Sequence, residues 1–290
     1  MNTASEPQVF KQRIREQWNE VAARWHRWTP MMREQYGPAT ELMLDLARLA
    51  PGDHVLDVAA GDGYQSLAAA ERVGPSGHVL AIDLAPEQLT YATAAARQAG
   101  FEQLETRVMD GENLDLTDAS VDAVLCHFGI MFFPDPDRGL REMLRVLRPG
   151  AWASLVIFAA GGTPESLLAS SIVRSRLGGE SPVPERISSA SLGAPGVLKL
   201  RLEAAGFQAV EAHELSVPLR LASAAVATTY LREVHPTLEE MMAPLAGSER
   251  DEVWEQIEQA LAAYEGAQGF ESPNLVLVVA GARAIEPTYR

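Results

Sequence analysis

The feature that most constrains the fold is a regular alternation of short apolar segments with helical segments in the middle of the chain. Apolar runs that predict buried strands occupy residues 54–60, 78–83, 104–109, 121–128 and 152–158. Segments with helical periodicity lie between them, at residues 64–73, 86–98 and 137–147. Strands that alternate with helices form a parallel sheet covered on both faces. We therefore expect an α/β fold.

The segments on either side of this alternation are predicted to be mainly helical. Residues 7–28 have the apolar spacing of an amphipathic helix, which Thr29-Pro30 should end, and a second helix is expected at residues 38–49. After residue 158, a stretch rich in Gly, Ser and Pro predicts an insertion with one short helix at residues 166–177. The remainder predicts helices at residues 196–205, 222–242 and 249–264, an extended segment at residues 207–218 and a strand at residues 275–280. We expect this last part to complete the sheet and add a helical layer.

Polar residues follow three successive predicted strands. The first strand runs into Asp57 and is followed by Gly61 and Gly63, after which a helix begins at once. Two glycines let the backbone approach a ligand closely, and a helix N-terminus supplies free N–H groups. Asp83 ends the second strand and Asp110 follows the third. A tight turn alone could explain the glycines, but a carboxylate at all three strand ends indicates a ligand site at the carboxyl edge of the sheet.

The residues around this turn also indicate which nucleoside is bound. A dinucleotide fingerprint would place a third glycine where this chain has Ser66. Asp57 would repel a pyrophosphate, but it suits an ammonium group. Asp83 can accept hydrogen bonds from both hydroxyls of a ribose. A ligand with a ribose, an amino group and no phosphate is S-adenosylmethionine.

Composition excludes several other classes of protein and partner. The chain has 39 acidic and 24 basic residues, a net charge of −15, so it lacks the basic footprint of a nucleic-acid or anionic-membrane binder. Its lysines, Lys11 and Lys199, do not form a Walker-type phosphate loop. The single Cys126 excludes an internal disulfide and a cysteine-based zinc site, and we expect no metal. Without a signal peptide or a long apolar run, we expect a cytoplasmic protein; a homodimer is left open.

Five motifs resemble those of the class I S-adenosylmethionine-dependent methyltransferases. They lie at residues 56–63, 81–83, 108–112, 121–130 and 144–150. The closest branch contains the ubiquinone/menaquinone C-methyltransferases and many natural-product methyltransferases. The resemblance covers residues 49–158 well and residues 196–206 loosely. The chain departs from the usual pattern at Ala60 and Asp62, and at Ala151 after Gly150.

The resemblance implies a Rossmann-like seven-stranded methyltransferase sheet with helices on both faces. The N-terminal helical lid would be residues 1–50 and the S-adenosylmethionine-binding core residues 51–158. An insertion or cap would span residues 159–195, and the C-terminal half of the sheet with additional cap helices residues 196–290. The implied function is transfer of a methyl group to carbon, oxygen or nitrogen of a small, partly apolar acceptor, as in secondary metabolism.

Site residues follow from the same resemblance. Asp57 would lie near the methionine ammonium, Asp83 would bind the ribose and Asp110 would accept from the adenine amino group. The full set of expected cofactor-binding residues is Asp57, Gly61, Gly63, Asp83, Leu84, Asp110, Gly111, His127 and Phe128. The expected acceptor-binding residues are Trp28, Met31, Met32, Met131, Phe132, Tyr230 and His235.

Three side chains near the expected methyl position could accept a proton: His127, His26 and Tyr36. They are the candidate catalytic residues, with packing or lid hydrogen bonding as the alternative for each. Two other functions remain open at this stage. One is a family member that binds the cofactor without methylating, as a cyclase or binding module. The other is a nicotinamide-dependent oxidoreductase, which Ser66 and Asp57 disfavour.

Overall fold

The computed structural model of the protein describes residues 6–159, 162–179 and 189–285. Its helices are α1 (Glu6–Leu46), α2 (Tyr64–Val73), α3 (Pro86–Ala99), α4 (Pro136–Val146), α5 (Pro164–Arg176), α6 (Ser189–Leu192), α7 (Val197–Ala205), α8 (Ala224–Val234), α9 (Pro236–Met241) and α10 (Gly247–Leu261). Its strands are β1 (His54–Val58), β2 (His78–Asp83), β3 (Leu104–Val108), β4 (Val121–His127), β5 (Leu147–Phe158), β6 (Gln208–Ser216), β7 (Leu219–Leu221), β8 (Glu265–Gly266), β9 (Gly269–Ser272) and β10 (Leu275–Ala282). None of the helices in these ranges has the length and apolar character needed to cross a membrane.

Seven strands form one sheet, in the order β3-β2-β1-β4-β5-β10-β6. The first five are mutually parallel, and β10 runs antiparallel to both of its neighbours. The strand order reverses between β1 and β4, where an open α/β sheet forms a ligand crevice at the carboxyl ends of its strands. The expected seven-stranded, Rossmann-like sheet is confirmed.

The sheet separates two apolar cores because successive side chains of a strand point to opposite faces. On β1, Val55 packs into the core formed with α1, α2, α5, α8 and α10. Leu56 and Val58 pack into the opposite core, which α4 and α7 cover. Both faces are therefore closed to solvent, and the loops at the strand ends rest on a fixed frame.

The prediction of two N-terminal helices is wrong. A single helix of 41 residues, α1, contains both Pro30 and Pro38. A proline inside a helix removes a hydrogen bond and costs about 3 kcal/mol or more. Packing compensates for this cost, since seven of the nine buried residues of α1 follow Pro30, from Met32 to Leu44. Burial against the sheet therefore overrides the local signal for a break.

The C-terminal half differs from the expectation in two respects. Strands β6 and β10 join the main sheet, but β7, β8 and β9 form a separate three-stranded sheet. These strands are only two to four residues long, too short to show an alternating pattern. The helix expected over residues 222–242 is divided into α8 and α9 at His235-Pro236, because a residue before proline avoids the helical region. The short helix expected in the insertion is α5, whereas residues 160–161 and 180–188 of that insertion lie outside the described residues.

Candidate functional site

The end of β1 carries a buried carboxylate, Asp57, with one oxygen that has no hydrogen-bond partner. Asp57 is fully buried; one of its oxygens accepts a short hydrogen bond from Ser66, and Oδ1 is buried without a hydrogen-bond partner. Burial raises the pKa of Asp57 to about 7, against the opposing effects of the Ser66 and Gln65 side chains. A buried carboxylate oxygen without a donor is costly, so it indicates a site for a donor or a cation.

The two glycines of the turn after β1 lie in different surroundings. At Gly63, where φ is +81°, an added Cβ would lie 2.7 Å from the Cβ of Ala92. At Gly61, where φ is +58°, an added Cβ would meet nothing within 4 Å. Gly63 therefore permits close packing of α2 against α3, whereas the space beside Gly61 is open to a ligand. Ala59 adopts a left-handed conformation as well, with φ of 57°.

Asp83 ties the end of β2 to this turn. Its Oδ2 accepts the Gly61 N–H at 2.9 Å, and its Oδ1 accepts the Ala85 N–H at 2.8 Å. Burial raises the pKa of Asp83 from its usual range, against these backbone hydrogen bonds. A carboxylate has about four acceptor positions, so the group retains capacity to accept from a ribose. Leu84 follows, half-buried.

A third carboxylate group lies after β3, and a lysine on α1 contacts it. Asp110 Oδ1 accepts the Glu112 N–H at 2.9 Å, while Oδ2 lies 2.6 Å from Lys11 Nζ. Lys11 also forms a short ion pair with Glu112, whose side chain is only 3% exposed. An added Cβ at Gly111 would lie 2.5 Å from the ring of Phe133, so only glycine fits there. Sequence reasoning missed Lys11 and Glu112, because no local pattern joins residues 99 positions apart.

His127 at the end of β4 is held in a buried polar network. The Tyr64 hydroxyl lies 3.0 Å from its Nδ1 and 2.9 Å from its Nε2, and Thr40 Oγ1 lies 3.4 Å from Nε2. Burial lowers the pKa of His127 to about 3, so the imidazole is neutral at pH 7. The next residue, Phe128, has φ of 58°, an unfavourable conformation for an aromatic residue. Tyr64 and Thr40 were not among the expected site residues.

Five rings, from here on the aromatic cluster, continue from Phe128 along the same edge. Its members are Trp28, Tyr36, Phe128, Phe158 and Tyr230. Phe128 stacks on Phe158 at a centroid distance of 4.3 Å, and Tyr36 packs edge-on to Phe128 at 4.9 Å. The Tyr230 phenol lies close enough to Tyr36 to influence its pKa, and its ring packs against Trp28 at 5.2 Å. Trp28, Tyr36, Phe128 and Tyr230 were expected in the site from the sequence, whereas Phe158 was not.

A buried carboxylate borders the aromatic cluster. Glu165 on α5 is 2% exposed, accepts hydrogen bonds from Ser272 at 2.6 Å and Asn274 at 3.0 Å, and lies close enough to Tyr36 and Tyr230 to influence both phenols. Burial, with further contributions from Tyr230 and Glu165, raises the pKa of Tyr36 well above its usual value. Tyr36 is therefore a neutral phenol at pH 7. Glu165 was not anticipated from the sequence.

The other expected residues lie at several places around this edge. His26 does not join His127 and Tyr36: its Nδ1 lies 3.4 Å from Asp62, after β1, and its ring stacks on Tyr91. Met32 and Met131 are buried, Met31 is partly buried, and Phe132 packs against Trp18 at 5.3 Å. His235 joins α8 to α9, and its Nδ1 is buried without a hydrogen-bond partner. Burial lowers the pKa of His235 to about 4.

Helix α1 crosses the whole of this edge. Along its length it contacts the loops after β3, β2, β1 and β4, in the order in which those strands stand in the sheet. The contacts are Lys11 with Asp110, Asn19 with the N–H of Glu87, Thr29 with Asp62 and Tyr36 with Phe128. Ligand bound at the strand ends would therefore lie beneath α1.

The carboxylate acceptors at this edge fit a nucleoside that carries an ammonium group. Asp57, Asp83 and Asp110 offer acceptors for an ammonium, a ribose and an amino-bearing base, and all three would repel a phosphate. Within the described residues, no group of three or more His, Cys, Asp or Glu side chains could hold a metal ion.

Comparisons with known proteins agree in one family. A family model described as a methyltransferase domain matches residues 55–150. Nocamycin O-methyltransferase of Saccharothrix syringae is 31% identical over 201 residues, which cover 65% of this chain and 70% of the relative. The arsenite methyltransferase of Halobacterium salinarum is 30% identical over 168 residues, which cover 57% of this chain and 40% of that protein. The chain thus spans less than half the length of this second relative.

Solved structures share the fold at lower identity. The YcgJ protein of Bacillus subtilis has a TM-score of 0.58 and 18% identity, and the alignment covers 86% of this chain and 99% of that one. The [4+2]-cyclase SpnF has a TM-score of 0.54 and 20% identity, with 92% and 97% covered. At these identities, the likeness extends to the fold alone.

Proposed function

The chain belongs to the class I S-adenosylmethionine-dependent methyltransferases, and from that premise we propose that it methylates a small, partly apolar acceptor. The observation that carries the proposal is the row of Asp57, Asp83 and Asp110 at successive strand ends beneath α1, with an orphaned oxygen on Asp57. When bound, S-adenosylmethionine supplies a methyl group already activated by its sulfonium.

The cofactor would lie along the edge from β1 to β3. Asp57 would face the ammonium of the methionine part, and Gly61 leaves the space for it. Asp83 would accept the ribose hydroxyls through its free acceptor positions. Asp110 would accept from the adenine amino group, with Leu84 and Gly111 lining the base. His127 and Phe128 would then border the sulfonium and its methyl group.

The acceptor would bind against the aromatic cluster. Its rings supply an apolar surface beside Phe128, and the Tyr36–Tyr230 hydroxyl pair and Glu165 supply a polar end. Trp28, Met31, Met32, Met131, Phe132 and His235 are proposed to complete the surroundings of the acceptor. Holding the reacting atoms in line can lower the activation barrier by roughly 7–11 kcal/mol.

We propose that this alignment, rather than a strong general base, dominates catalysis. A base works best when its pKa lies near the operating pH. His127 has a pKa of about 3 and is therefore a weak proton acceptor. Tyr36 is a neutral phenol, and His26 lies beside Asp62, apart from the other two. His127 and Tyr36 would then orient the acceptor by hydrogen bonding, and the acceptor must bring its own nucleophilic carbon, nitrogen or oxygen.

The expected division of the chain is kept in this proposal, except for the extent of the lid. Residues 51–158 would bind the cofactor, residues 159–195 would form the insertion or cap, and residues 196–290 would supply the C-terminal half of the sheet with additional cap helices. The lid would be the part of α1 before Pro30, since only Val21 and Ala22 are buried there, whereas the part after Pro30 is anchored in the core.

The test has two stages. Native mass spectrometry of the purified chain should show one bound S-adenosylmethionine or S-adenosylhomocysteine after incubation with either. Transfer of a labelled methyl group to a panel of phenols, arylamines and enolisable ketones should then identify the acceptor. A chain that binds neither compound contradicts the proposal. Binding together with conversion of an unsaturated substrate and no methyl transfer would instead establish a cyclase.

A further inference from the structure

We propose that Lys11 retains the cofactor by bridging Asp110 and Glu112 and so holding the end of α1 closed over the adenine. The inference rests on the proposed function, because it needs the cofactor to lie along the edge described above. Lys11 stands almost at the start of α1, and Asp110 follows β3, the outermost strand on that side of the sheet. The bridge therefore closes the site at one end.

The charges explain why Lys11 stays in place. Its ammonium lies 2.6 Å from Asp110 Oδ2 and forms a still shorter contact with Glu112. Glu112 is almost completely buried, and its other oxygen accepts the N–H of Asp135. Among the described residues, Lys11 is the cation that pairs with Glu112. Removing that cation would leave a buried carboxylate uncompensated, which is strongly unfavourable.

Adenine and Lys11 can be accommodated together at Asp110. A carboxylate has about four acceptor positions. The Glu112 N–H uses one on Oδ1 and Lys11 uses one on Oδ2, so a second position remains on each oxygen. The adenine amino group can therefore bind Asp110 without displacing Lys11. In this arrangement the lysine stem forms an outer wall of the adenine pocket and blocks its exit.

The first half of α1 has fewer buried anchors than the second, so loss of the Lys11 ion pairs should loosen that half first. Of the buried residues of α1, only Val21 and Ala22 precede Pro30. The other contacts of this half involve partly buried or exposed side chains, such as Trp18 against Phe132 at 5.3 Å, Arg13 with Glu240, and Asn19 with the Glu87 N–H at 3.1 Å. Pro30 has no N–H, so it leaves the His26 carbonyl unbonded and weakens the helix at this point. Loss of Lys11 should thus free the residues before Pro30, with the rest of α1 unaffected.

The experiment measures the release of S-adenosylhomocysteine from the full chain. Stopped-flow tryptophan fluorescence can follow its displacement, since Trp18 and Trp25 lie on the first half of α1. Lys11→Met and Glu112→Gln should each accelerate release roughly tenfold, with the association rate nearly unchanged. Lys11→Arg should release more slowly than Lys11→Met. Lys199→Met makes the same chemical change at a half-exposed lysine on α7, paired with Glu203, and should release at the wild-type rate.

Hydrogen exchange gives a readout that does not depend on release. With S-adenosylhomocysteine bound, residues 6–29 should exchange faster in Lys11→Met than in wild type, and residues 31–46 should be unchanged. Wild-type protein that does not bind the compound would contradict the proposed function. Wild-type binding with equal release from Lys11→Met would overturn the retention role alone. Tighter binding and faster association in Lys11→Met would also overturn it, because Lys11 would then be blocking the site.

Discussion

The carboxylate of Asp57 is the residue whose environment most clearly indicates a missing partner. It is buried at the end of β1, and only one of its oxygens has a donor. The position of Asp57 before two glycines was visible in the sequence. Its protonation behaviour was not, because burial and the Ser66 hydrogen bond depend on how α2 packs on the sheet.

Cofactor affinity should depend on pH through Asp57. Its pKa of about 7 means that it is partly protonated at neutral pH in the free protein, and the ammonium of the ligand favours the ionised form. An α-amino group stays protonated over pH 5.5–7.0. The affinity for S-adenosylhomocysteine should therefore fall as pH decreases from 7 to 5.5, by up to about tenfold per pH unit.

Isothermal titration across this range checks the prediction. In buffers with different ionisation enthalpies, binding at pH 6 should release a proton from the wild-type protein. Asp57→Asn should bind more weakly at pH 7 and show little change in affinity with pH. Wild-type affinity that is constant from pH 5.5 to 7 would contradict the assignment of Asp57 to the ammonium.

Unlike Asp57, His127 should give no pH dependence, in this case of catalysis. Burial keeps its pKa near 3, so its protonation state does not change between pH 5 and 9. Once an acceptor is known, His127→Asn should reduce turnover by less than about tenfold, below the 10²–10⁴ expected for loss of a general base. The shape of the pH–rate profile should be the same in both proteins. A wild-type inflection near pH 6.5 that disappears in His127→Asn would show that His127 does act as a base.

At the scale of elements, substitutions at the two glycines after β1 should have different effects: one mainly on stability, the other mainly on ligand affinity. Gly63→Ala would bring a Cβ to 2.7 Å from Ala92 at a φ of +81°, so it should lower the free energy of unfolding by about 2–4 kcal/mol. Gly61→Ala has only the left-handed backbone to overcome, about 1 kcal/mol, because the space beside it is open. Its larger effect should be on the affinity for S-adenosylhomocysteine.

Urea unfolding of both variants, followed by titration of each at a temperature where it is folded, measures the two effects. Gly63→Ala should be the less stable protein, and Gly61→Ala should lose more affinity relative to its loss of stability. Equal losses of stability with unchanged affinity in Gly61→Ala would mean that no ligand approaches this turn.

The same scale shows what could be predicted from the sequence. The strands of the sheet and the motif after β1 were predicted because their signals are local: apolar runs, glycines and terminal aspartates. Helix α1 was not, because Pro30 indicated a break and the packing of Met32 to Leu44 that overrides it involves distant residues. The same is true of Lys11 with Asp110, and of Glu165 with Ser272 and Asn274, which join segments about 100 residues apart.

At the scale of the whole molecule, topology assembles the site. Asp57 and Asp83 lie at the ends of β1 and β2, and Asp110 follows β3; these strands stand side by side, so the three carboxylates share one edge although they are spread over more than 50 residues. Helix α1 crosses this edge from β3 to β4, with Lys11 beside Asp110 at one end and Tyr36 beside Phe128 at the other. In the proposed function, the sites of both ligands therefore border the same helix.

The most direct test of the central claim is calorimetric titration of S-adenosylhomocysteine into wild-type protein and Asp83→Ala. Wild type should bind one molecule per chain. Asp83→Ala should lose affinity by about tenfold or more, because each hydrogen bond to the charged carboxylate is worth roughly 1.5–3 kcal/mol. Asp115→Ala, which removes an exposed aspartate elsewhere, should bind as wild type does, and thermal melts should show that all three proteins are folded. Equal affinity in folded Asp83→Ala and wild type would contradict the claim that the carboxyl edge of the sheet binds the ribose.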